Sequence, residues 1–325
     1  IAQRCLDAFV EPMWVVGRSW QLSVSIGVVV IDNQRSPGEV LRDADAAMYE
    51  AKRAGRGRWR LFGGETRKQV VRRLSLEHRL RAAVADRTIG AWFQPVVRCG
   101  DWALIGAEAL ARWKAPDGTW VSPAEFIPLA EELGLIDDVG DIMIDRAVEA
   151  VRVLGNAGVS IGRVSVNVSP LQLQSETLFK RFESLQDDAV ARSLCLEMTE
   201  QHIIDDSSAT LDRLGRLLAT GVSLAVDDFG TGYSSLSALH RMPATTLKID
   251  RGVVSRVGSP AGDAVVAAVV GVARAYGMTT VAEGVETAAE ASLVRSLGVD
   301  AVQGYLFARP EPLDALVERM ARDGW

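Results

Sequence analysis

The polar residues that could do chemistry in this chain stand directly after short apolar runs. LIGA leads into Glu108, RVSV into Asn167, SLCL into Glu197, SLAV into Asp227 and Asp228, TTL into Lys248, TTVA into Glu283, and DAV into Gln303. Any one of these fits a loop-facing residue that ends a strand. The series demands more, because carboxylates and an amide drawn to one mouth repel one another in a low-dielectric cavity unless cations are bound among them. An all-oxygen ligand set with no His or Cys favours hard cations such as Mg²⁺ or Mn²⁺ over zinc or copper. The neighbours Asp227 and Asp228 add a geometric condition. Adjacent strand residues point to opposite faces, so both can serve one cavity only where the chain has left the pleat. The turn Phe229-Gly230-Thr231-Gly232 is expected to supply that departure, after which one carboxylate could bridge two metals for an in-line displacement at phosphorus.

Two cations stand in the same series. Lys248 is either a counter-ion to the carboxylates or, with its pKa depressed by burial and nearby cations, a neutral amine able to take a proton from water. Arg112 is either a solvated charge on the rim or a clamp on a substrate phosphate, a task that suits guanidinium geometry. His78, His202 and His240 do not follow strands and read as surface or helix-packing residues. Cys195 lies within an apolar run and reads as a small buried hydrophobe.

Such residues need a frame that brings strand ends together. From Trp92 onward the strand candidates WFQPVV, LIGAEALARW, RVSVNVSP, SLCLEMTE, SLAVDDFG, TTLKID, TTVAEGVE and DAVQGYLF alternate with helical patterns such as 141–154, 209–219 and 264–276. That rhythm predicts an α/β fold, a (β/α)₈ TIM-like barrel with its site at the carboxyl ends of the strands; a doubly wound open sheet shares the rhythm. Upstream, residues 21–31 read as a β-branched strand and 38–55 as an amphipathic helix stopped by Gly55 and Gly57. So few elements cannot close a core, and the segment reads as part of a domain. Residues 68–86 carry helical periodicity among many charges and read as a linker helix.

At 325 residues, 48% hydrophobic and 24% charged, the chain is long enough for one large domain and a smaller piece. Its formal net charge of −6 argues against a duplex nucleic-acid binder, which needs a basic surface. Three cysteines without close spacing suggest neither a zinc site nor a disulfide framework and fit a cytoplasmic setting. No apolar run is long enough to cross a membrane, so no membrane contact is expected within this chain. The first residue is Ile1 and the opening stretch is not a signal peptide, so membrane-tethering or sensory segments are conceivable upstream.

The stretch 106–113, GAEALARW, resembles the signature of the EAL phosphodiesterases. FIPLAEELGLI, VNVSP, LEMTE, DDFGTGYSSL, LKID, AEGVE, QGYLF and RPEP follow in that family's order, from about Leu80 to Leu316. The resemblance implies hydrolysis of cyclic di-GMP to linear pGpG on a barrel holding two Mg²⁺ or Mn²⁺ ions, with Ca²⁺ inhibitory. It implies Glu108, Asn167, Glu197 and Asp227 as ligands of one metal, and Asp227, Asp228 and Glu283 as ligands of the other. Lys248 resembles the group that orients or deprotonates the attacking water. Glu286 is implied as catalytic along with Lys248 and Glu108, and with Gln303 it matches a set that either backs the ligands or holds water. Gln94, Leu110, Arg112 and Gln303 match substrate-contacting positions, and Glu200 the acid that holds the DDFGTG loop. A homodimer through the helices beside that loop is also implied.

The opening segment, with SIGVVV and ADAAMYEAKRAGRGRWRLF, is similar to the carboxyl half of a GGDEF diguanylate cyclase domain without its signature. These readings divide the chain into a GGDEF-like part at 1–64, a linker helix at 65–86 and the EAL barrel at 87–325. Two rivals are weighed against this: a silent cyclic di-GMP receptor, which would be expected to lack a ligand or the lysine whereas every matched ligand is present, and a barrel lyase using Mg²⁺ and a Lys base, against which the ordered motifs argue.

Overall fold

The computed structural model describes residues 1–15, 18–31, 36–159, 161–185, 189–199, 208–230, 239 and 241–323. It divides into two compact units, Ile1–Leu80 and Arg81–Trp325.

In the first unit, β1 (Met13–Val15) and β2 (Arg18–Trp20) form an antiparallel pair. A separate parallel pair joins β3 (Ile26–Val28) to β4 (Trp59–Leu61). The expected strand at 21–31 is therefore only three residues long. The helix Pro37–Arg53 packs on that pair at Gly27, where a Cβ would stand 2.0 Å from the Ala44 carbonyl oxygen. Ser36 caps it reciprocally with Glu39, and Gly55 and Gly57, both at positive φ, follow its end as the sequence predicts. The expected linker helix runs from Gly64 to Ala85, and its last turn, with buried Ala83 and Val84, belongs to the second unit.

The second unit is a closed barrel. Its strands are β5 (Gly90–Arg98), β6 (Leu104–Lys114), β8 (Arg163–Asn167), β9 (Leu194–Thr199), β10 (Ser223–Phe229), β11 (Thr246–Ile249), β12 (Thr279–Ala282) and β13 (Ala301–Gln303). Around the barrel they run β5-β13-β12-β11-β10-β9-β8-β6, with β6 returning to β5 to close it, and β7 (Trp120–Val121) extends β6 as a hairpin. The TIM-like fold is as predicted, with one departure from strict alternation. β5 runs antiparallel to both neighbours, and a tight turn without a helix joins it to β6. The other barrel pairings are parallel.

Strand period two sorts the side chains. Val164, Val166, Leu194, Leu196, Leu224, Val226, Leu247 and Ile249 point outward into the main core, with Ile144, Phe179, Phe182, Val266 and Val270. The alternating residues turn inward, and the polar series of the sequence occupies that inner face near the carboxyl ends. The helix Ile136–Asn156, longer at both ends than its predicted core, supplies much of the outer layer.

Candidate active site

Lys248 sits at the centre of the inner polar layer, 2% exposed. Its Nζ lies 2.6 Å from Glu283 Oε1, 2.7 Å from Glu197 Oε2, 3.2 Å from Asp227 Oδ1 and 3.3 Å from Glu108 Oε2. Registry explains the convergence: Asn167 pairs with Glu197 across β8 and β9, and Gln94 with Glu108 across β5 and β6. Hydrogen bonds then orient Glu108. Asn167 Nδ2 donates to one oxygen at 2.8 Å and Gln303 Nε2 to the other at 2.7 Å. Gln303 Nε2 also donates to Gln94 Oε1, and Gln94 Nε2 to the Ala308 carbonyl. Among the described residues Gln303 Oε1 has no partner.

The pair Asp227-Asp228 leaves the pleat, but not at the turn expected to cause it. The registry of β10 against β11 slips between Val226 and Phe229, and Asp228 itself takes φ +55°. This bulge brings both carboxylates to one side, and oxygens of Asp227, Asp228 and Glu283 come within 4.8 Å of one another. A left-handed aspartate is uncommon though tolerated, and such a strained backbone position is typical of functional sites.

The electrostatics follow from burial of five carboxylates with one ammonium. Desolvation disfavours the charge on Lys248, but Glu108, Glu197, Glu283 and Asp227 together outweigh it, and its pKa is raised well above the ordinary lysine value. Burial by itself is not enough to depress it, because the neighbours are anions at contact distance; the expected depression also requires bound cations. Desolvation and the charge of Glu108 hold the Glu197 carboxyl well above the usual range. Glu283 is pushed by desolvation, against the pull of Lys248, to about 8. Glu108 feels desolvation too, yet Lys248 and the amides of Gln303 and Asn167 bring it below the usual value.

This donor set fits hard divalent cations. It is all oxygen, its negative charge exceeds the single lysine, and among the described residues Asp227 Oδ1 is buried without a hydrogen bond although Lys248 lies nearby. Asp227, Asp228 and Glu283 could hold one such ion, and Glu108, Asn167 and Glu197 offer further oxygens in the same layer.

Three candidates sit outside the buried layer. Glu286 is an exposed residue that accepts from Arg251 at 2.7 Å, and the carboxylate of Glu290 accepts from its backbone N–H. That carboxylate also closes the capping box of Thr287 at the helix Ala288–Ser296, so Glu286 stands on a rigid rim and not against Lys248. Arg112 lies at the mouth with its guanidinium 5.2 Å from the centre of the Trp92 ring and donates to the Ala111 carbonyl. Leu110 pairs with Trp92 beside it. Trp92 escaped the sequence reading because no polar group marks it, although its spacing two residues from Gln94 places it on the same face. Glu200 and residues 231–238, with the dimer contact expected beside them, lie outside the described residues, as do His202 and His240. His78 is exposed, and Cys195 is buried with its thiol pushed up to about 11, chiefly by desolvation.

Distant motifs are tied together around this mouth. Ser169 of VNVSP donates to Glu131 of FIPLAEELGLI. Gly304 of QGYLF packs so closely on the loop after β12 that a Cβ would stand 2.0 Å from the Val285 carbonyl oxygen.

The EAL domain family matches residues 77–310, and the diguanylate cyclase GGDEF domain family matches residues 1–58. A bifunctional diguanylate cyclase/cyclic di-GMP phosphodiesterase, MucR of Pseudomonas aeruginosa, is 35% identical over 325 residues, covering 99% of this chain and 47% of its own. A cyclic di-GMP phosphodiesterase of the same organism, NbdA, is 35% identical over 322 residues, covering 98% of this chain and 41% of its own. The chain thus spans less than half the length of these relatives. The solved structure described as the PaMucR phosphodiesterase in complex with c-di-GMP is 38% identical, with a TM-score of 0.69, and covers 74% of this chain and 99% of that one.

Proposed function

The chain belongs to the EAL domain family, with a GGDEF segment before the barrel, and from that membership we propose that it hydrolyses cyclic di-GMP to linear pGpG. The observation that carries this reading is the buried ring of Glu108, Glu197, Asp227 and Glu283 around Lys248, with Asp228 turned in beside it. Relatives that match nearly the whole chain are named for cyclic di-GMP cleavage, and the MucR phosphodiesterase structure contains that ligand.

Two Mg²⁺ or Mn²⁺ ions would supply a polarised phosphate and an acidified water. The chain's own residues do the rest. Gln94, Leu110 and Arg112 contact the substrate, with Arg112 held against Trp92 so that its fork faces the mouth. Gln303 and Asn167 fix the two oxygens of Glu108. Lys248 would hold the attacking water, and in its neutral form would accept the water's proton; with the carboxylates offset by the positive charge of bound cations, the amine would lose its own proton to solvent beforehand. Glu286, on the rim with Arg251, holds water at the edge of the site.

The division into a GGDEF-like part at 1–64, a linker at 65–86 and the barrel at 87–325 belongs to the same reading. So does a cytoplasmic setting, where the nucleotide would be met; among the described residues no helix is long and apolar enough to cross a membrane.

Incubation of the chain with cyclic di-GMP and Mg²⁺ or Mn²⁺, with products separated by chromatography, tests the reading. It expects pGpG, abolished by chelation and little supported by Ca²⁺, whose looser shell misplaces the water. Binding of intact cyclic di-GMP with no product in either metal would leave a receptor instead, and full activity after exhaustive metal removal would remove the cation requirement.

A further inference from the structure

We infer that the barrel carries a second ligand site, at the end opposite the polar layer, for a small molecule with an apolar body and one anionic head. A cavity of about 540 Å³ opens there, within the size range of small-molecule pockets. Its origin is in the sequence. Two residues before the polar series on six of the strands stand Gly106, Ser165, Cys195, Ala225, Thr246 and Ala301, all lining the cavity, with the larger Val96 of β5 and Val281 of β12 among them. Barrel interiors are ordinarily filled by layers of bulky branched residues, and here the layer under the polar one is too small to fill its space. Gly106 is held to that size by its backbone, since a Cβ would stand 2.7 Å from the Arg163 carbonyl oxygen.

The lining fits an organic occupant better than a string of waters. Most of the surface that the wall presents is carbon, as at Val96, Ile105, Ala107, Ala225, Val281 and Ala301, with charged groups of Arg98, Arg163, Asp300, Glu197 and Lys248 around it. The hydroxyls gather at the entrance, where Thr246 and Thr279 stand 3.3 Å apart.

The charges at the entrance select the sign of the head. Arg98 is paired with Asp101 at 3.0 Å, and Asp300 accepts from both the backbone and the hydroxyl of Thr280. Arg163 also lines the cavity, donates to the hydroxyl of Thr245 at 3.2 Å, and among the described residues has no carboxylate within ion-pair distance. Its charge is felt by the Cys195 thiol inside. An exposed guanidinium at the lip of an apolar cavity binds a carboxylate or a similar anion. Glu197 and Lys248 form the roof, so an occupant would touch the polar layer from beneath.

Octanoate serves as the probe on the whole chain, with octylammonium as the matched cation, both followed by calorimetry. Saturable octanoate binding is expected, at least tenfold tighter than octylammonium. Arg163→Gln should weaken octanoate about tenfold through loss of one charge-assisted contact. Ala225→Leu should abolish binding by filling the cavity. Should that variant fail to fold, Thr279→Trp at the exposed entrance plugs it from outside. No saturable binding by the parent, or binding undiminished in both filled variants, overturns the site. Equal affinity for the two probes, or for octanoate in parent and Arg163→Gln, overturns the anionic head.

Discussion

At the carboxyl end of the barrel strands four carboxylates surround one ammonium, with Asp228 beside them, whereas two residues earlier along strands of the same barrel stand Ser165, Cys195, Ala225 and Thr246. The first layer is filled by charge, and the second holds mostly small residues, with Val96 and Val281 among them. The polar layer is therefore little propped by packing from beneath. Sideways hydrogen bonds from Asn167 and Gln303, backbone geometry at Asp228 and the charge on Lys248 hold it in place. Substitutions at the carboxyl end should accordingly read out in turnover and charge balance, and those at the amino end in small changes of stability.

The largest effect is expected at the centre of that layer. Lys248→Ala should lower kcat roughly 10²–10⁴-fold, the usual range for a general base, while cyclic di-GMP affinity measured in Ca²⁺ stays near the parent's. Glu108→Ala should also lose turnover but recover partly at high Mn²⁺, because it weakens an ion site instead of removing a proton acceptor. Recovery of Lys248→Ala by Mn²⁺, or near-parent turnover, would make the lysine a counter-ion.

Charge balance gives the next effect. Glu283 titrates at about 8 in the folded chain against an ordinary value of 4.5. Between those values the folded chain keeps a proton that the unfolded chain releases, so stability falls as pH rises through that window. Glu197, also raised, adds in the same direction. Denaturant unfolding in a chelator from pH 5 to 8.5 should show the decline, and Glu283→Gln should flatten part of it. A parent profile that is level across the window would mean that the lysine neutralises the ring without help from protons.

The backbone at Asp228 offers a smaller test. Asparagine tolerates the left-handed conformation and alanine does not, while both remove the charge. Metal-free Asp228→Ala should be less stable than Asp228→Asn by roughly 1–2 kcal/mol. Equal unfolding midpoints would locate the strain elsewhere.

At the other end, the buried Ser223 donates its hydroxyl to the Leu194 carbonyl at 3.1 Å. Ser223→Ala should cost about 0.5–1.5 kcal/mol of stability and leave kcat unchanged. A loss of turnover as large as that of Glu108→Ala would erase the distinction between the two ends.

Much of the barrel was legible because local chemistry and global fold agree there. Period-two alternation puts leucines and valines outward and the polar series inward on the same strands, and apolar runs ending in carboxylates mark the mouth. The first unit is less legible. Its β-branched stretch at 21–31 makes only a three-residue strand, since strand length is set by the partner it pairs with and not by propensity. The unit leaves Trp14, Val30 and Ile31 exposed.

Within the site, sequence alone determined which residue types meet and that their chemistry is oxygen-rich, because those follow from composition and strand periodicity. Tertiary structure decided the rest. It ran β5 antiparallel, placed the break in the pleat at Asp228, raised the lysine's pKa where burial alone would lower it, kept Glu286 on the rim and laid Arg112 on Trp92. Each of these depends on distances between groups far apart in the chain, and Coulomb interaction, desolvation and packing act on those distances.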